Sequence, residues 1–142
     1  MASIIPKSAK LNIVGGASGY ATKTLKLMLL SASYSPLTSH DFIDDVSGYE
    51  ITDLGGVYTA GGITVAGKAG VQHGDNAYLD FNDVSIGPGA TITYRYGALY
   101  VSTGTPATSE ILAIIDFGST PQSVTSGTST IQWNALGIIY VQ

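Results

Sequence analysis

Cysteine is absent from this chain of 142 residues, so no disulfide or thiolate metal site can form and packing alone must hold the fold. Charge is scarce as well. Acids and bases make up 11% of the chain, against roughly a quarter of a typical soluble domain. No apolar run approaches the ~20 residues needed to cross a bilayer as a helix, so a soluble chain with no membrane partner is expected. The opening MASIIPKSAK lacks a positive stretch followed by a continuous apolar one, and no cleaved signal peptide is expected there. Only two histidines, His40 and His73, are present, and their separation matches no zinc-site spacing.

The net charge of −4 disfavours nucleic acid, whose phosphates call for clustered Lys and Arg. Its distribution is uneven. Residues 1–40 hold Lys7, Lys10, Lys23 and Lys26 and no acid, whereas all ten acids lie in residues 41–142 with only Lys68 and Arg95. Such a split suits a basic segment that steers toward an acidic partner.

What the chain does have is glycine, serine, threonine and β-branched residues, in short alternating runs separated by turn clusters. Strands are expected at 11–14, 22–30, 49–54, 63–66, 77–81, 90–101, 110–117, 129–133 and 137–141. Gly15-Gly16, Gly55-Gly56, Gly61-Gly62, Gly87-Pro88-Gly89 and Gly104-Thr105-Pro106 supply the reversals. One helical turn fits, over 39–46, with Ser39 as cap and Asp41 favouring its N-terminus. The spacing predicts an all-β, single-domain antiparallel β-sandwich, jelly-roll-like or related, spanning residues 22–142. Residues 1–21 form an N-terminal arm or first strand, with the glycines of GGASG as a hinge.

The stretch ATITYRYGALYV at 90–101 holds three tyrosines and the single arginine. Read as one strand, it places Ile92, Tyr94, Tyr96, Ala98 and Tyr100 on a core face, and Thr91, Thr93, Arg95, Gly97, Leu99 and Val101 on the other. The second face mixes polar and apolar residues, which marks Arg95, Leu99 and Val101 as subunit-interface candidates, with Arg95 suited to a carboxylate partner. Both faces of 110–117 are mostly apolar, so this strand is expected to be central. Trp133 and Phe117 lie in apolar strand patterns and are expected to be buried.

Catalytic and cofactor chemistry finds no arrangement to work with. Asp75, Asn76, Asp80, Asn82 and Asp83 offer oxygens suited to calcium but not the order of a calcium loop, and such residues beside strands usually cap turns. There is no G-x-S-x-G elbow, and the glycines of GGASG and GGITVAGK are not those of a phosphate loop. Asp44 and Asp45 are adjacent, which does not make a glycosidase pair. The expectation is a protein that is not an enzyme and needs no metal or other cofactor.

Several stretches occur together in a particular order: SASYSPLTSHDFIDDV at 31–46, VYTAGG at 57–62, DVSIGPGATITYRYGALY at 83–100, IIDFG at 114–118 and STIQWNALGIIYV at 129–141. As a set, covering residues 25–142, they resemble a recurrent family of small virion proteins of tailed bacteriophages. The opening SIIPKSAKLNIVGG departs from the amphipathic, more helical start of that family. The resemblance implies an all-β capsid cement or decoration protein, made in the host cytoplasm and placed on the outer face of the head. Its partners would then be the major capsid protein and sibling copies in a homo-oligomer, a trimer being one option. The basic opening makes Ile4, Ile5, Lys7, Lys10, Leu11 and Ile13 the candidates for docking on the shell. Two other classes stay open: a tail or baseplate module that binds a receptor or carbohydrate through stacked tyrosines, and a hydrolase with scattered catalytic residues.

Overall fold

The computed structural model describes residues 2–9, 20–73, 76–133 and 139–141. The expected strand at 11–14 and the Gly15-Gly16 turn lie outside these residues. The fold is all-β, single-domain and antiparallel, as the spacing predicts, and among the described residues helix is confined to stretches of three residues. Ten strands are described: β1 (Ala2–Ile4), β2 (Leu25–Leu30), β3 (Ile63–Thr64), β4 (Ala69–His73), β5 (Asn76–Asp80), β6 (Val84–Tyr94), β7 (Tyr96–Val101), β8 (Ile111–Asp116), β9 (Gln122–Ile131) and β10 (Ile139–Val141). They form a five-stranded sheet in the order β1-β8-β7-β2-β3, a three-stranded sheet β10-β5-β4 and a two-stranded sheet β6-β9.

The five-stranded sheet is apolar on both faces, because β2, β7 and β8 carry Leu, Ile, Ala and Tyr at nearly every position. Leu25, Leu27 and Leu29 of β2 enter a core shared with Val84, Ile86, Ile92 and Tyr94 of β6, giving a sandwich-like pairing of two sheets. Met28 and Leu30, of opposite parity, enter a second core on the other face with Tyr96, Tyr100 and Ile114. Tyr34, Ile43 and Val46 close that core. They come from residues 31–49, a layer of loop and single turns rather than sheet.

Four expectations need correction. Gly87-Pro88-Gly89 is no reversal but an irregularity within β6, where the register with β9 shifts between Ile86 and Ala90. The stretch 90–101 is not one strand: the chain leaves the β6-β9 sheet at Tyr94 and enters the five-stranded sheet at Tyr96. Arg95 is the pivot, its N–H donating to Leu30 O at 3.0 Å and its C=O accepting from Phe117 N at 2.9 Å. Parity therefore breaks there. Ile92 and Tyr94 share the first core with Leu99 and Val101, while Tyr96, Ala98 and Tyr100 line the second. Residues 49–54 form no strand, because the edge of β2 takes them only through a bridge of Leu30 with Glu50 and the bond from Ile51 N to Leu29 O. The helical turn over 39–46 shrinks to 3-10 turns at Ile43–Asp45 and Ser47–Tyr49. Ser39 caps neither; the Asp45 carboxylate accepts from Asp41 N and Phe42 N, both at 3.0 Å.

Candidate functional site

The proposed docking segment is, through residue 9, part of the domain. β1 pairs antiparallel with β8, Pro6 and Ala9 are buried, Lys7 N donates to Thr38 O at 3.3 Å and Ser8 N to Asp41 Oδ1 at 3.1 Å. Ile4 packs on the second core and Ile5 on the first, so their apolar surface is largely spent inside the chain. Lys7 is exposed. Lys10, Leu11 and Ile13 lie outside the described residues. Ser8, beside Lys7, bonds Asp41, and Lys26 lines the same cleft of about 380 Å³ as Glu50.

The subunit-interface candidates are also committed within the chain. Leu99 is 0% and Val101 7% exposed, both in the first core, so neither offers surface to a second copy. Arg95 meets a carboxylate, as its charge suggests, but in its own chain: Nη2 lies 3.3 Å from Asp116 Oδ2, and the guanidinium sits 4.8 Å from the centroid of the Tyr96 ring. Burial pushes the Asp116 carboxyl up, but the Gly118 N–H and Arg95 outweigh it and hold the group below its usual range. Tyr94, Tyr96 and Tyr100 are all buried, so these three offer no stacking surface to a sugar.

Two of the acids considered for metal binding hold nearby backbone. Asp80 Oδ1 accepts from Phe81 N at 2.8 Å, and Asp83 Oδ1 from Trp133 N at 3.1 Å. His40 Nδ1 lies 2.7 Å from Tyr34 OH. Asp75 lies outside the described residues, as do the side chains of His73 and Asn76. Among the described residues no group of three or more His, Asp or Glu stands close enough to hold a metal ion.

What projects outward is apolar. Leu37, Phe42, Tyr49, Leu54 and Val57 are exposed, Leu54 at 84%. All five lie between residues 37 and 57, in the loops that follow β2. Leu54 stands on a firm base, because the Asp53 side chain gathers four backbone N–H groups: Gly55 and Val57 at 2.7 Å, Tyr58 and Thr91 at 2.8 Å. Led by the bond from Thr91, they pull the Asp53 carboxyl down to about 2. The loop also lies hard against β6, where a Cβ at Gly55 would collide with the Gly89 carbonyl. A second anchor follows, Tyr58 OH donating to Glu50 Oε1 at 2.7 Å while accepting from Leu29 N at 3.0 Å. Beside Leu54 runs an open groove of about 350 Å³ lined by Ile51, Ile92, Val124, Thr91, Thr93 and Ser123.

The sequence reading took Gly55-Gly56 as a turn and missed the aspartate before it. D-L-G-G, an Asx residue two places before glycine, was the available signal. No protein-family model matches the chain, and neither a curated protein nor a solved structure is significantly similar to it.

Proposed function

We propose that this chain is a structural virion protein of a tailed phage, a capsid cement or decoration protein that binds the major capsid protein on the outer face of the head. The virion assignment rests on the ordered set of stretches in residues 25–142. The mode of action rests on one observation: an 84% exposed leucine held on a loop fixed by four backbone bonds to a single carboxylate. An apolar side chain fixed before contact loses little freedom on binding, which suits a protein that works by contact rather than by chemistry. Val57, whose own N–H donates to Asp53 Oδ2 at 2.7 Å, extends the same surface.

Docking is accordingly placed on the loops at 37–57, with Lys7 as a peripheral charge that acts on the rate of association more than on affinity. Repetition across a lattice turns a modest contact into firm attachment. Particles stripped of the protein and incubated with purified chain test this. Leu54→Asp with Val57→Asp should keep the circular dichroism of the native fold and fail to co-sediment with the particles. Saturation of the particles by that variant, at unchanged affinity, would remove the loop from the docking surface.

A further inference from the structure

The sheets of this fold end on edges of very different length. β1, β3, β4 and β10 are edge strands of 3, 2, 5 and 3 residues. Short edges offer few unpaired N–H and C=O groups to a foreign strand. β9 is an edge of 10 residues, and its partner among the described residues is β6 alone. The far side of β6 is occupied: Leu54 N donates to Thr91 O at 3.2 Å and Thr91 N to Asp53 Oδ1 at 2.8 Å. Among the described residues, no main-chain bond of this kind covers the outer edge of β9.

The usual guards of a long edge are scarce on β9. The sequence from Phe117 to Gln142 contains no Asp, Glu, Lys or Arg, and Pro121 falls just before the strand. Two irregularities are present: the Gly87-Pro88-Gly89 stretch of β6 stands opposite Thr128 alone, and before it comes a bulge in which Thr125 and Ser126 stand opposite Thr91 alone, with Ser126 at a φ of 48°. Beyond it, residues 127–131 continue as strand with Thr128 and Thr130 exposed.

We propose that residues 127–131 of β9 pair antiparallel with the same residues of a second copy, joining two β6-β9 sheets into one of four strands. An antiparallel ladder has a two-fold axis, so a strand can be its own complement. Directly opposed residues point to the same face, so outward Thr128 and Thr130 meet only one another's copies and inward Ser129 meets the inward series. Threonine and serine hydroxyls already meet this way across β6 and β9, where Thr93 Oγ1 and Ser123 Oγ are 2.9 Å apart and Ser85 Oγ and Thr130 Oγ1 3.3 Å. The lack of charge favours a copy over a foreign strand: self-pairing sets any charge near its like, and β9 has none to set, while a charged partner finds nothing complementary. A sheet of two strands also gains most from extension. The pairing does not depend on the virion reading.

Because the chain has no cysteine, single substitutions report the seam in the otherwise native full chain. Under mild oxidation Thr128→Cys, Ser129→Cys and Thr130→Cys should give a disulfide-linked dimer, fastest at the residue on the axis and several-fold faster than Thr59→Cys, an exposed control in the loop before β3. Sedimentation velocity of the native chain should show a monomer–dimer equilibrium. Thr128→Lys with Thr130→Lys should abolish it, and mixing that variant with Thr128→Glu, Thr130→Glu should restore a dimer. A native chain that stays monomeric at every concentration overturns the proposal. So does a dimer that survives the paired lysines with the fold intact by circular dichroism, or crosslinking at β9 no faster than at Thr59→Cys.

Discussion

At the scale of the residue, Asp53 and Trp133 show how single side chains hold irregular backbone. Its four bonds hold the Asp53 carboxyl down to about 2 when folded against an ordinary value of 3.8, so the stability they contribute is fully present above about pH 4 and is lost as the pH falls through about 2. Amide exchange should report this locally. The N–H groups of Gly55, Val57, Tyr58 and Thr91 lose protection across that window, and Asp53→Ala produces the same loss at neutral pH. Protection unchanged in Asp53→Ala would mean that the loop is held by packing alone. Trp133 is 8% exposed, its Nε1 donating to Asn82 O at 2.9 Å and its ring 6.2 Å from that of Phe81. Trp133→Ala removes both the ring and the bond and is expected to lower stability by about 3–5 kcal/mol, read as a shift in the denaturation midpoint. Phe117, expected to be buried in the same way, is only partly covered, its ring set edge-on to Tyr94 at 5.3 Å.

At the scale of the element, local pattern located the strands and failed where tertiary contacts decide. β5 and β8 fall within a residue of their expected bounds, because alternation and flanking turns are local signals. The break at Arg95 leaves no such trace. ATITYRYGALYV alternates straight through it, and what divides it is the pair of bonds to Leu30 and Phe117, both distant in sequence. β8 shows a smaller case, where a bulge at Leu112 puts that residue in the first core beside Ala113, though alternation assigns the two to opposite faces. β4 escaped notice because AGVQH is strand only through its pairing with β5. The acid that fixes the candidate site was legible as D-L-G-G, but the exposure of Leu54 was not, since sequence gives hydrophobicity and not position. Close packing of β7 adds a further test. A Cβ at Gly97 would stand 2.9 Å from Leu27 Cδ1 and 3.1 Å from Phe117 Cε2. Gly97→Val should therefore cost about 1–3 kcal/mol despite the better strand propensity of valine, as a chemical denaturation curve would show. A more stable variant would mean that Phe117 swings aside freely.

At the scale of the whole molecule, the chain carries little charge, packs two apolar cores on either side of one sheet, and displays apolar side chains on its loops. Asp80, Asp83 and the buried Tyr94, Tyr96 and Tyr100 are engaged in holding that architecture together. The proposed function therefore lies on the surface and in repetition, with the shell as the proposed partner and the β9 edge as the proposed contact between copies. Attachment through exposed loops predicts that binding tolerates high salt, since apolar contact is not screened as exposed charges are beyond ~8 Å at physiological ionic strength. Quantitative mass spectrometry of purified phage particles tests the central claim most directly. The account predicts the chain in copy numbers comparable to those of the major capsid protein; its absence from the particles, or its presence at the few copies of a tail component, would contradict it.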